Sequence, residues 1–243
     1  MWGDLDLRFA AISNAYASDL AITDGAITAH SAAGRQTLRD LNGSDRFPLA
    51  EVDAVALCGG LMNTFGTARL YAGARWFPLP SLVAAGGVPP ATLHLISDAA
   101  ALAAVCGRVE GAALFALLSA LRAGGASRVF VVQDPRVSQD AVGSGRKMAG
   151  FTRIARSRDA GMLSALYDRA VEAAFGELAE VVLQPDATRA NEFFTDARFR
   201  RGATRLASRP DVPQPPDDML HGNAAYGAMV LDVLSQRLAG GAA

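Results

Sequence analysis

The chain has 243 residues, of which 51% are hydrophobic and 19% are charged, and its formal net charge is −1. This composition supports a single domain over residues 1–243 with a sizeable core, and it excludes a disordered chain. Because 23 basic residues stand against 24 acidic ones, no excess of positive charge is available to neutralise phosphates. A general nucleic-acid binder is therefore excluded as well.

The N-terminal residues and the cysteines predict a cytoplasmic protein. No basic region followed by an apolar stretch begins the chain, and the apolar run at 111–121 is too short to cross a bilayer, so we expect no membrane association. Two cysteines are too few for a disulfide scaffold or a four-cysteine zinc site. Cys58 and Cys106 each lie in an apolar run and are predicted to be buried core thiols.

Short apolar runs alternate with helical patterns along the chain. The runs predict strands at residues 7–12, 26–29, 52–58, 129–132 and 181–183. Periodic apolar positions and the glycines that follow them predict helices at 112–121, 161–175 and 224–238. The alternation favours an α/β fold, a three-layer α/β/α sandwich with a mainly parallel central sheet. The long irregular stretch 71–96 is predicted to be an insert or a lid.

Polar residues in the loops are the candidates for chemistry, because ligands of such folds bind beyond the carboxyl ends of the strands. Of the histidines His30, His94 and His221, the last has the most informative neighbours. Asp218 precedes it by three residues, a spacing that lets the carboxylate accept a hydrogen bond from Nδ1 and leaves Nε2 as a base. The alternative interpretation is two ordinary polar residues before a helix, for which Asn223 is the predicted N-cap.

The segment around this pair resembles a known block of sequence. The pattern Asp-x-x-His-x-Asn-x-x-Tyr-Gly at 218–227 resembles the last block of the SGNH (GDSL-type) hydrolase superfamily. The loop at 30–34, the segment at 58–63 and the strand and loop at 129–135 resemble further blocks of that superfamily in the same order. The resemblance implies a flavodoxin-like sheet and a serine esterase.

The same resemblance implies roles for particular residues. Asp218 and His221 complete a serine triad, while the backbone N–H of Gly34 and the side chain of Asn63 stabilise the oxyanion. Strict alignment gives the family's asparagine position to Leu61, two residues earlier. Asn63 therefore takes this role only if the loop is remodelled, and the alternative is an ordinary loop residue.

The nucleophile departs from the family pattern, because the chain contains no Gly-Asp-Ser. Ser13 is expected to take this role if residues 7–12 form the first strand, since a serine at a strand-to-helix turn exposes its hydroxyl beside helix N–H groups. A second interpretation makes Ser13 a helix cap. A third aligns Gly3-Asp4-Leu5 with the family block and replaces the serine by leucine. A fourth treats residues 7–12 as the second strand of a chain that lacks the block.

Two functions of different classes follow from these residues. The first is hydrolysis of an acyl or acetyl ester, with a small molecule or carbohydrate as substrate and with no cofactor, metal or nucleic acid. The second is a degenerate SGNH fold that binds a ligand or a partner without catalysis. His30 is expected to be a surface histidine, with a place in the cleft beside the Gly34 loop as the alternative, and His94 is expected to be structural. The arginines at 198, 200, 201 and 205 are expected to form a solvated surface, and the alternative is that they contact an anionic substrate.

Overall fold

The computed structural model describes residues 6–59, 62–126, 128–205 and 212–240. Within these ranges the strands are β1 (Leu20–Thr23), β2 (Ala26–Ala29), β3 (Phe47–Pro48), β4 (Val55–Leu57), β5 (Ala74–Trp76), β6 (His94–Ile96), β7 (Val129–Val132) and β8 (Glu180–Val182). The α-helices are α1 (Ala32–Asn42), α2 (Phe65–Gly73), α3 (Pro80–Ala84), α4 (Asp98–Glu110), α5 (Ala113–Ala123), α6 (Ala149–Ala155), α7 (Ala160–Phe175) and α8 (Ala224–Gly240).

The chain is an α/β protein in which a parallel and an antiparallel sheet each contain three of the described strands. The parallel sheet has the order β4-β7-β8, with Val55 opposite Val129 and Val131 opposite Val181. The antiparallel sheet has the order β1-β2-β3. β5 and β6 form a separate parallel pair. The predicted fold class is therefore confirmed at the level of α/β.

Strand β7 is buried on both faces, which explains why it is an unbroken apolar run in the sequence. Val129 and Val131 belong to the main core, together with buried residues of α4, α5 and α7. Phe130 and Val132 pack on the other face with Val182 and with buried residues of α8. Burial of a side chain of this size contributes roughly 1.5–3 kcal/mol, so helices on both sides of the sheet stabilise it through β7.

Several predicted elements are confirmed. The strands at 26–29 and 129–132 have the predicted bounds. The strand at 52–58 is shorter, as β4, and the strand at 181–183 begins and ends one residue earlier, as β8. The helices at 112–121, 161–175 and 224–238 are α5, α7 and α8, each within two residues of the predicted bounds.

The strand predicted at 7–12 is wrong, because these residues form no strand. The apolar run is not buried, and Phe9 is 73% exposed. The backbone N–H of Ala11 donates to Asn42 Oδ1 at 2.6 Å, and its carbonyl accepts from Asn42 Nδ2 at 2.8 Å. A side chain of α1 therefore takes the backbone groups of Ala11 that a neighbouring strand would have used.

The stretch 71–96 contains regular structure and contributes to the core. It includes β5, α3 and β6, and its residues in the main core are Tyr71, Trp76, Leu79 and Leu82. The buried carboxylate of Asp159, just before α7, accepts hydrogen bonds from Tyr71 Oη at 2.8 Å and from Ser81 N at 2.7 Å. These bonds tie α2 and the first turn of α3 to the residue that precedes α7. A lid function for this stretch stays a prediction.

Helices α4 and α5 follow each other across a sharp bend. Ala101, Val105 and Val109 are the buried residues of α4, which packs against α7. Among the described helices, none has by itself the length and apolar composition of a membrane span. α4 and α5 meet those two criteria only when they are counted together, across a bend of 75°.

Candidate active site

Asp218 and His221 form the hydrogen-bonded pair that their spacing predicted. Nδ1 of His221 lies 2.9 Å from Oδ1 of Asp218, and the backbone N–H of His221 donates to Oδ2 at 3.1 Å. An ionised carboxylate only accepts hydrogen bonds, so Nδ1 is the donor, and in the neutral imidazole Nε2 then carries the lone pair. The Asp218 side chain is 12% exposed, whereas that of His221 is 57% exposed. The pair can therefore present a base to solvent.

Asp218 is held in its charged form by this turn. Partial burial acts to raise the pKa of its carboxyl group, but the hydrogen bonds from the ring and the backbone of His221 outweigh it. The net effect is a pKa below the ordinary value of 3.8. An ionised carboxylate at this position can orient the imidazole and stabilise the imidazolium that forms when Nε2 accepts a proton.

The turn that carries the pair is anchored to the start of α8. Asn223 is the N-cap, as predicted, with Oδ1 accepting from the N–H of Tyr226 at 3.1 Å. Its Nδ2 donates to the carbonyls of Arg198 and Arg201 at 2.7 and 2.9 Å. A Cβ atom at Gly222 would lie 2.6 Å from Cδ1 of Tyr226, so this position requires glycine for the loop to pass over the aromatic ring.

Arg200 lies beneath the turn and is buried, which corrects the expectation of a solvated surface. It is 3% exposed, and its Nη2 donates to the carbonyl of Met219. Burial lowers the pKa of Arg200 to about 10, against the opposing attraction of Asp218. Its Nε and Nη1 atoms and the hydroxyl of Tyr226 have no hydrogen-bond partner among the described residues. A buried cation thus faces the carboxylate of Asp218 from the protein side.

The other arginines of this region are exposed. Arg198 pairs with Asp196 at 3.5 Å and Arg201 with Asp140 at 3.0 Å, while Arg205 makes no ion pair with any described residue. The solvated surface that the sequence predicted therefore exists without Arg200.

A buried polar network holds the loops that follow β7 and β8. Arg136, whose side chain is fully buried, pairs with Asp168 of α7 through Nη2 at 2.7 Å. Gln133 Nε2 donates to the same carboxylate at 2.8 Å, and Gln133 Oε1 accepts from the N–H of Gln184 at 2.9 Å. Gln184 Oε1 in turn accepts from the N–H of Arg136 at 2.9 Å. The network joins the loops after β7 and β8 to each other and to α7.

This network was not predicted from the sequence, although the sequence contains one signal for it. Gln133 directly follows β7 and Gln184 comes two residues after β8. Polar side chains just beyond parallel strands are where loop-fixing groups are expected. The loop after β7 also reaches the histidine turn, since the N–H of Ser138 donates to the carbonyl of Met219 at 3.0 Å.

Cys58 follows β4 at the same edge of the sheet. Its predicted place in the core is wrong, because it is exposed, and Cys106 is only partly buried. The surrounding protein still excludes water from the sulfur, and the negative charge of Asp134 disfavours a thiolate. Together they raise the pKa of the Cys58 thiol to about 11. Cys58 is therefore protonated at neutral pH and is a poor nucleophile.

Ser13 and Gly34 lie in the N-terminal part of the chain, around the antiparallel sheet. Ser13 precedes the 3-10 turn Asn14–Asp19, and its side chain makes no capping hydrogen bond. No hydrogen bond joins Ser13 to His221 in the part of the chain that the structure describes. The N–H of Gly34 donates to Oγ of Ser31 at 2.9 Å. Their catalytic roles stay predictions, and the role of Gly34 now requires this cap to open.

Asn63 lies in the loop between β4 and α2. Its Oδ1 accepts from the N–H of Phe65 at 3.1 Å, and its Nδ2 has no acceptor among the described residues. Leu61, which strict alignment favours, lies outside the described residues, as do Gly3, Asp4 and Leu5. The role of Asn63 in an oxyanion hole therefore stays a prediction.

The remaining histidines are solvent-exposed. His30 is exposed, as expected, just before α1, whereas the expectation that His94 is structural is wrong because its side chain on β6 is exposed as well. Within the described ranges, no three His, Cys, Asp or Glu side chains come together as a metal site.

Comparisons with known proteins identify no relative: no family model, no curated protein and no solved structure matches the chain.

Proposed function

We propose that the protein is a hydrolase of the SGNH type that cleaves acyl or acetyl esters of a small molecule or carbohydrate. The observation that carries this proposal is the pair of Asp218 and His221, joined at 2.9 Å with the imidazole open to solvent. It lies in a loop bonded to the segment that follows β7. Active sites of parallel α/β folds lie at that edge of the sheet.

His221 acts as the general base in this mechanism. Its Nε2 takes the proton of the Ser13 hydroxyl as Oγ attacks the ester carbonyl, and Asp218 stabilises the imidazolium. The imidazolium then protonates the leaving alcohol, which leaves an acyl group on Ser13. A water molecule, deprotonated by His221, attacks the acyl carbon and releases the acid and the free serine. The backbone N–H of Gly34 and the side chain of Asn63 are the proposed oxyanion donors.

The proposed architecture is the three-layer α/β/α sandwich of that superfamily. Its support is the division of the core at β7, where α4, α5 and α7 pack with Val129 and Val131 and α8 packs with Phe130 and Val132. A sheet covered by helices on both faces is what such a sandwich requires.

A second candidate is an SGNH-like fold that binds its ligand without catalysis. Two observations favour it: residues 7–12 form no strand before Ser13, and the N–H of Gly34 is already bonded to Ser31. Ser13 is followed by a 3-10 turn but preceded by no strand, so it does not lie in the strand-to-helix turn that exposes the nucleophile in such hydrolases.

Hydrolysis of p-nitrophenyl acetate separates the two candidates. His221→Ala is expected to abolish turnover, and Asp218→Asn to lower kcat by about 10,000-fold if the carboxylate holds the tautomer. Asp217→Asn and His94→Ala are the matched controls, because both side chains are exposed and neither makes a hydrogen bond with a described residue. Both controls are expected to keep the wild-type rate.

A fluorophosphonate probe then tests the nucleophile. We expect labelling at Ser13, located by mass spectrometry, and none in the Ser13→Ala variant. Turnover that is lost in His221→Ala but kept in Ser13→Ala would assign a different nucleophile to the same base. A folded wild-type protein that neither hydrolyses the ester nor takes the label would favour the binding module.

A further inference from the structure

A cavity of about 320 Å³ opens between the first turn of α2 and the face of α4. Asn63, Gly66 and Arg69 line it from the α2 side. Val105, Arg108 and Val109 line it from the α4 side. The volume lies in the range of small-molecule sites. Its walls combine buried valines with polar and cationic groups, which is the composition of a binding site.

The charge of this cavity has one sign. Arg69 and Arg108 are exposed and form no ion pair with any described carboxylate, and no acidic side chain is among the described residues that line the cavity. The stem of Arg108 lies across α2, since a Cβ atom at Gly66 would be 3.4 Å from its Cγ. Two unpaired guanidinium groups on one small cavity attract an anion, which they can bind through charge-assisted hydrogen bonds.

The backbone adds to this potential. Helix α2 begins at the cavity, and its N-cap residue Thr64 makes no side-chain capping bond. The first N–H groups of a helix carry a partial positive charge that favours anions. Nδ2 of Asn63 is a further donor with no acceptor among the described residues. Helix terminus, amide and guanidinium groups therefore act in the same direction.

The location of the cavity connects it to the rest of the candidate site. It follows β4, at the carboxyl edge of the parallel sheet, and the carbonyl of Met62 on its wall accepts a hydrogen bond from Tyr167 of α7. The pKa of Tyr167 is raised well above its ordinary value, first by burial and then by Asp134, which also acts on Arg200 beside Asp218. The cavity and the histidine turn thus each contact a buried residue, Tyr167 and Arg200 respectively, on which the charge of Asp134 acts.

We propose that this cavity is a subsite for an oxyanion group of the ligand, a carboxylate, phosphate or sulfate, bound by Arg69 and Arg108. As a substrate subsite the inference rests on the proposed hydrolase: the preferred ester then carries a negative charge in addition to the ester group. As an anion-binding site, the cavity does not depend on the protein being a hydrolase.

Calorimetric titration with glutarate, phosphate and sulfate tests the binding site and distinguishes the three sources of charge. We expect at least one of them to bind, with an affinity that falls as sodium chloride is added. Arg69→Gln and Arg108→Gln are each expected to weaken binding about tenfold or more. Arg122→Gln, an exposed arginine at the end of α5 with no described ion pair, is the matched control and is expected to bind as the wild type does.

A matched pair of esters tests the subsite in catalysis. The mono-p-nitrophenyl ester of glutaric acid and p-nitrophenyl pentanoate have acyl chains of the same length, but only the first carries a carboxylate. We expect kcat/KM to favour the glutarate ester and the preference to vanish in the double variant Arg69→Gln/Arg108→Gln.

The outcomes separate this inference from the proposed function. Anion binding that is lost in the double variant, without hydrolysis of either ester, would remove the hydrolase and keep the subsite. Binding of none of the three anions, or equal binding by the wild type and the double variant, would overturn the subsite whatever the esterase activity.

Discussion

The carboxyl edge of the parallel sheet and the N-terminal unit, residues 6–51 around the antiparallel sheet, are held together in different ways. At the sheet edge, large side chains such as Phe130 and a fully buried Arg136 fill the interior. In the N-terminal unit the buried apolar residues are four alanines and one leucine: Ala17, Ala21, Ala26, Ala29 and Leu38. Because stabilisation scales with the apolar area buried, the sheet edge is the more strongly stabilised region.

This difference matters for the proposed chemistry, which draws on both regions. His221 and Asp218 lie at the sheet edge, where Arg200 and Ser138 both donate to the carbonyl of Met219 in their turn. Asn223, which follows the turn, donates to the carbonyl of Arg198. Ser13 and Gly34 rest on the N-terminal unit, where an exposed hydrogen-bond chain joins Asp19 to Ser31. The base half of the candidate site is preorganised, while the nucleophile half depends on a region with little core of its own.

The largest expected effect comes from breaking the network at the sheet edge. Arg136→Met removes the buried partner of Asp168, and we expect it to lower the free energy of unfolding by about 3 kcal/mol, because Arg189 stays near the carboxylate at 3.6 Å. Arg169→Gln is the control. Arg169 lies on α7, next to Asp168, and forms an exposed ion pair with Asp98 of α4, so its loss is expected to cost less than about 1 kcal/mol. Urea unfolding measures both. Equal losses would show that the buried pair contributes no more to the stability of the fold than the exposed pair does.

A smaller effect is expected from the caps of the N-terminal unit. Ser31→Ala removes the side chain that accepts from Gly34 N–H, and we expect a loss of about 1 kcal/mol. Ser13→Ala removes a side chain with no capping bond and is expected to change stability by less than about 0.5 kcal/mol. Urea unfolding and hydrogen exchange of the α1 amides measure the pair. A large loss in Ser13→Ala would give Ser13 a structural role and weaken its use as a test of the nucleophile.

The smallest expected effect is a pH dependence at Asp218. Its pKa is lower in the folded chain than the ordinary 3.8, so its charged form contributes stability above about pH 3.8 that is lost as the pH falls through the folded-state pKa. The difference in unfolding free energy between the wild type and Asp218→Asn is therefore expected to shrink from pH 7 to pH 3. Asp217→Asn, a change at the exposed neighbour, is expected to show no such trend. A difference that stays constant with pH would contradict the ionised pair.

The sequence predicted the elements and contacts that depend on near neighbours in the chain. The pairing of Asp218 with His221 needs only a turn of three residues, and Asn223 caps the helix that follows it directly. Helix α4 was not predicted, because six of its residues in 98–110 are alanine or glycine, which form a weak apolar stripe. The exposure of residues 7–12 was not predicted either, since an apolar run has the same sequence pattern whether or not it pairs with other strands in a sheet.

Long-range features depended on packing between distant segments. Arg136 and Asp168 are 32 residues apart, and Asn42 bonds to Ala11 across 31 residues. Arg69 and Arg108 meet on one cavity only because α2 and α4 pack together.

Local patterns in the chain were thus enough for the α/β class, strand β7 and the carboxylate–imidazole turn, since backbone geometry and spacing decide these within a few residues. Which loops meet at the sheet edge, and which arginines are buried or left unpaired, was decided by the tertiary fold. Burial and charge pairing depend on the positions of segments far apart in sequence, and no local pattern contains those positions.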